Sequence, residues 1–152
     1  MVFARRASVR DTSPVAMLAT LYAMFYYALL DPLNTTPIIP ELAGVALQAL
    51  GTTWQFASKL ILGRSFGLLP AQRGIVTAGP YRVVRHPIYF GYLIAHVGFL
   101  LVNFSPRNLV VSLLLYAAQV TRLVREEAVL ARDDAYRQYQ RRVRWRLLPF
   151  IF

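Results

Sequence analysis

Arg82, Arg85 and His86 crowd the entrance to an apolar stretch. They lie in "GPYRVVRHPIYFGY", residues 79–92, just ahead of Pro87, where an uncharged run begins. A second charged group, "RLVREEAVL" at 122–130, closes another apolar run. On a helix Arg122 and Glu126, four residues apart, share a face. Glu127 turns about 100° away from them, toward Leu123 and Leu130. Adjacent carboxylates are costly to bury unpaired, and Arg64, Arg73, Arg82 and Arg85 are available as partners. Such a set can bind a polar, charged group beside an apolar one. Taken singly, each residue also has a plainer reading. The Glu126–Glu127 pair fits a solvated helix face, and Arg82 and Arg85 fit cationic anchors. His86 fits a residue satisfying an open helix end, and Pro87 suits a first helical turn. Tyr89 and Tyr92 fit interfacial aromatics. His96 lies midway along an apolar run, where polar side chains usually face other helices.

The elements that must position these groups are helical and apolar. Of 152 residues, 57% are hydrophobic, above the roughly 45–50% of a soluble domain. Net charge is +10, carried in blocks between the apolar runs. That patterning argues against a nucleic-acid surface and fits positive-inside loops of a membrane protein better. With no Cys, disulfides and thiolate chemistry are excluded, and the count of two His argues against a histidine metal cluster. Helices are predicted at 14–30, 41–62, 88–103 and 108–124, the last continuing as a polar helix to about 142. The small residues Gly44, Ala46, Ala49, Gly51 and Ala57 suit close packing of the second helix. A signal peptide is the competing reading of the first, since Arg5, Arg6 and Arg10 precede it. No small-residue cleavage site follows, and "DPLNTTPIIP" reads as a turn. Residues 63–87 read as an irregular loop with four Gly, three Pro and four Arg. Tyr136, Tyr139 and Val143 form the buried face of an amphipathic helix, and the tail "WRLLPFIF" is apolar enough to dock on a bilayer.

The expectation is therefore an all-α integral-membrane bundle of about four transmembrane helices with a cytoplasmic C-terminal helix. It is one domain over 1–152, with N-terminal helices in 1–62 and the motif region in 63–150. Loop charges place both termini and the 63–87 loop in the cytoplasm, and the expected location is a bacterial inner membrane.

Three blocks taken together, "IVTAGPYRVVRHPIYFG" (75–91), "RLVREEAVL" (122–130) and "YRQYQRRVRWRLLP" (136–149), resemble the isoprenylcysteine carboxyl methyltransferase family. That family consists of integral-membrane, S-adenosylmethionine-dependent methyltransferases related to phospholipid methyltransferases. The resemblance covers about residues 60–150. It departs at "DDAY" (133–136), where Phe-Gly often precedes the Tyr, and the N-terminal half matches no motif. By this resemblance Tyr81, Arg85, His86, Pro87, Tyr89, Glu126 and Glu127 would bind S-adenosylmethionine, and Arg122 and Glu126 would serve catalysis, with no metal. An Arg fork suits the cofactor's carboxylate, and Glu suits its ammonium or ribose. The implied partners are membrane lipids and a lipophilic acceptor: an isoprenylcysteine-like carboxylate, a lipid, or a small thiol or amine. Two other classes remain open at this point. One is a reductase, because membrane sterol reductases carry a similar "RHP-x-Y-x-G" region and use a nicotinamide cofactor. The other is a membrane scaffold without catalysis.

Overall fold

The computed structural model describes residues 13–63 and 76–152. Arg5, Arg6, Arg10, Arg64, Arg73 and Ile75 lie outside the described residues. Among the described residues five α-helices follow one another: α1 (Pro14–Phe25), α2 (Glu41–Leu62), α3 (Pro87–Val102), α4 (Pro106–Leu130) and α5 (Asp134–Arg142). Short 3-10 turns cover Tyr26–Leu29 and Gly79–Arg82. Among the described residues there is no strand, only isolated bridges pairing Thr36 with Phe104 and Val84 with Trp145. The all-α expectation holds for these residues.

Local chemistry sets the helix starts. Ser13 and Ser105 accept from the amides of Ala16 (3.3 Å) and Asn108 (3.1 Å), each with a proline in the following first turn. Asp133 caps α5 through the Ala135 amide at 2.8 Å. These are preferred N-cap types, and proline costs nothing at a position whose N–H is unpaired anyway.

α2 lies along α3, and α1 lies along α4. The α2–α3 seam is antiparallel: Gly44 faces Gly98, and Gly51 faces Gly91. A Cβ at Gly51 would lie 2.5 Å from the Ala95 amide nitrogen and 2.6 Å from the Gly91 carbonyl oxygen. The backbones touch here because neither residue has a side chain. Of the small residues expected to pack, Gly44 and Gly51 are buried, whereas Ala46, Ala49 and Ala57 are exposed. At the far end, the fully buried Asn108 ties two turns together. Its Oδ1 accepts from the Asp31 amide (2.8 Å), and its Nδ2 donates to the carbonyls of Asp31 (2.9 Å) and Asn103 (2.8 Å).

The structure corrects three sequence expectations. The predicted 14–30 helix ends as an α-helix at Phe25 and tightens into the 3-10 turn. The predicted continuous helix to 142 breaks at 131–133, where Asp133 opens α5. The tail returns to the protein. The amides of Arg85 and His86 donate to the carbonyls of Trp145 (2.9 Å) and Arg146 (2.8 Å). The amides of Arg146, Leu147 and Leu148 close onto the Phe152 carbonyl.

No helix of the described residues is long and apolar enough to cross a membrane. The 16 residues of α3 reach only about 24 Å at ~1.5 Å per residue, against a hydrocarbon core of ~30 Å. α2 has the length, at 22 residues, but carries Gln48, Gln55, Ser58 and Lys59. Outward-facing apolar side chains are nevertheless abundant: Leu18, Phe25, Leu42, Phe56, Leu60 and Leu113 are each at least 60% exposed.

Candidate functional site

The two charged groups singled out in the sequence meet where the start of α3, the end of α4 and the tail converge. Glu127 lies at the centre, 4% exposed. It accepts from Arg85 Nε at 2.6 Å and Nη2 at 3.3 Å, and from Arg146 Nε at 2.8 Å. His86 Nε2 stands 3.2 Å from Glu127 Oε1. An ionised carboxylate only accepts, so Nε2 carries the proton. Burial alone would raise the Glu127 carboxyl, but the bonds from His86, Arg85 and Arg146 outweigh it and hold the group at about 2. Arg85 also donates through Nη1 to the carbonyls of Val143 (2.7 Å) and Arg144 (2.9 Å).

His86 occupies the N-cap position of α3, yet its side chain makes no cap hydrogen bond. The imidazole serves Glu127 instead, so the helix-capping reading does not describe it. Pro87 stands in the first turn as expected, and its carbonyl accepts from Trp54 Nε1 at 3.0 Å, fixing α2 against this corner. Tyr81 is buried. Its hydroxyl donates to the Ser58 carbonyl at 3.4 Å, and its own carbonyl accepts from Tyr139 at 2.7 Å. Tyr136, Tyr139 and Val143 pack as the predicted buried face of α5.

Glu126, the neighbouring acid, has a different setting. Its hydrogen bond among the described residues is a long one, from the Tyr89 hydroxyl to Oε2 at 3.4 Å. Arg122, one turn earlier, also acts electrostatically on Tyr89. Beside them runs a narrow cleft lined by Tyr89, Tyr92, Tyr116, Gln119, Leu123 and Leu147. The structure therefore brings Arg85, His86 and Glu127 into one saturated ion cluster, and Tyr89 and Glu126 into a separate, open pair. Arg82 joins neither: it is exposed and points into another groove.

Two features escaped the sequence. Arg146 belongs to the Glu127 cluster, and only the turned-back tail brings it there. His96 has partners: Tyr26 Oη lies 2.7 Å from Nε2, and Tyr116 Oη lies 3.1 Å from Nδ1. The Tyr116 proton goes to the Tyr92 carbonyl at 3.4 Å. Tyr116 therefore accepts from Nδ1–H, and Tyr26 donates to Nε2. The Tyr92 ring stacks on the imidazole at 5.9 Å. Among the described residues no group of His, Asp or Glu forms a metal site.

The donor set fits the cofactor implied by the motifs in one respect. Glu126 retains acceptor capacity beyond Tyr89, which suits an ammonium or a ribose hydroxyl. The Glu127 oxygens are already engaged by three side chains.

The profile of the family described as phospholipid methyltransferase matches residues 40–138. That stretch contains α2, α3, α4, the Tyr89–Glu126 pair and all of the Glu127 cluster except Arg146. The chain is also 36% identical over 90 residues to mouse phosphatidylethanolamine N-methyltransferase. That alignment covers 59% of this chain and 41% of the mouse protein.

Proposed function

Because this chain belongs to the phospholipid methyltransferase family, we propose that it transfers a methyl group from S-adenosylmethionine to a lipid acceptor. The observation that carries the proposal is the contrast within one acid pair. Glu127 is saturated by cations, while Glu126 beside it keeps a carboxylate oxygen for a ligand. Glu126 and Tyr89 would hold the cofactor, with Arg122 on the same face. Bound there, S-adenosylmethionine supplies an electrophilic methyl group on a sulfonium.

The protein's part is to position and to exclude water. Tyr89 orients Glu126 through its hydroxyl. Leu123, Val120 and Leu147 give the adjoining cleft an apolar wall. Arg85, His86, Glu127 and Arg146 act as positioning residues: they fix the start of α3 to the end of α4, and so the distance from Tyr89 to Glu126. Tyr81 and Pro87 fix the same corner through Ser58, Tyr139 and Trp54. The acceptor class favoured here is the amine of an aminophospholipid, consistent with the activity in the mouse relative's name. The exposed apolar faces of α1, α2 and α4 support membrane residence, and the loop charges support cytoplasmic termini. Calorimetric titration of the detergent-purified protein tests the cofactor. S-adenosylmethionine should bind and NADPH should not. Binding of NADPH alone would favour the reductase reading, and binding of neither would favour a scaffold.

A further inference from the structure

A groove of about 470 Å³ lies apart from both clusters, between the 77–82 segment and α5. Tyr139 and Val143, each under 10% exposed, form its floor. Arg82 projects from the 3-10 turn on one side and Arg142 from the last turn of α5 on the other. Thr77 and Gln138 add a hydroxyl and an amide. Arg85 reaches the carbonyl of Val143 but is not part of the groove, so this layer separates the groove from Glu127.

Two guanidinium groups thus face one concavity, and among the described residues its lining includes no carboxylate. Among the described residues, neither Arg82 nor Arg142 forms an ion pair. The nearest acids on α5 are engaged: Asp134 pairs with Arg137, and Asp133 caps the helix. Like charges converging from two elements are relieved by an anion, and planar guanidinium forks match phosphate oxygens bidentately. The volume exceeds that of a bare phosphate and leaves room for a polar substituent near Gln138 and Thr77. Around the groove, Arg137 and Arg141 on α5 and Arg144 just beyond its end are exposed, a basic surface of the kind that attracts anionic lipid.

We infer that this groove binds the phosphate of a phospholipid headgroup, at a site separate from the Tyr89–Glu126 pair. The inference rests on the lipid-facing reading above, but its test needs no methyl transfer, so the two can fail separately. The probe is phosphatidylglycerol added to the detergent-purified protein, with bound lipid counted by native mass spectrometry. The Arg82→Gln/Arg142→Gln variant should lose affinity roughly ten- to hundredfold while melting like the parent. The Arg82→Lys/Arg142→Lys variant keeps the charge and should lose less; it also serves if the Gln variant folds poorly. The Arg141→Gln/Arg144→Gln variant removes the same charge outside the groove and should lose much less affinity than the Arg82→Gln/Arg142→Gln variant. Equal losses in the two Gln variants would reduce the effect to general surface charge and overturn the inference. Displacement of the lipid by equimolar inorganic phosphate would assign the groove to free phosphate, and displacement by S-adenosylmethionine would merge it with the cofactor site. Either result overturns it.

Discussion

Replacing Glu127 by Gln should damage folding first and ligand binding only as a consequence. The side chain is buried, accepts from Arg85, His86 and Arg146, and is held at about 2 against an ordinary 4.5. At roughly 1.4 kcal/mol for each pH unit, that depression corresponds to about 3.5 kcal/mol of stability. The folded value is lowered, so this contribution is complete above about 4.5 and disappears as pH falls toward 2. The Gln variant leaves two guanidinium groups with no carboxylate at the centre of the cluster. Its cost at neutral pH should be about 3–5 kcal/mol, the range for breaking a buried pair. The assay is denaturant unfolding in detergent, followed by circular dichroism from pH 7 to acid. The parent should lose stability through the acid window, and the variant should start lower and show a flatter acid limb. A variant as stable as the parent at pH 7, with the same acid limb, would refute the ion cluster as a structural device.

The Glu126→Gln variant should behave in the opposite way. Its melting should stay close to that of the parent, while S-adenosylmethionine affinity falls roughly ten- to hundredfold, as for a charged hydrogen bond; titration calorimetry reads both signs. Gly51→Ala sets a methyl against the backbone of α3 and should cost about 1–3 kcal/mol in unfolding; a neutral effect would show that the α2–α3 seam is looser than described. Tyr26→Phe removes the donor to His96 Nε2 and should cost about 1–3 kcal/mol, the range for an unsatisfied buried group. An unchanged melting temperature would mean that the His96 cluster adds nothing to stability.

Some of this was legible from residues alone. The α2 boundaries follow from Pro40 and Gly63 on either side of the run, and α3 begins at the proline that suits a first turn. The acid pair was legible in outline: a rotation of about 100° put Glu127 on the side of Leu123, and both are buried. What the pair does was not legible, because Arg146 comes from a tail whose turn rests on backbone bonds to the Phe152 carbonyl. Those bonds leave no pattern in side-chain types. The partners of His96 lie on three helical segments, with Tyr26 seventy residues away in sequence, beyond any spacing rule. The sequence pattern overextends the fourth helix because its polar continuation stays compatible with a helix through 131–133. Ala131 caps the end of α4 there, and Asp133 caps the start of α5.

The most direct test is transfer of a labelled methyl group. Purified protein in phosphatidylethanolamine-containing micelles is given methyl-labelled S-adenosylmethionine, and the lipid extract is counted. Label in N-methylated lipid, lost in the Glu126→Gln variant while its fold is retained, is the predicted result. A folded parent that binds the cofactor but leaves every lipid unlabelled would contradict the account.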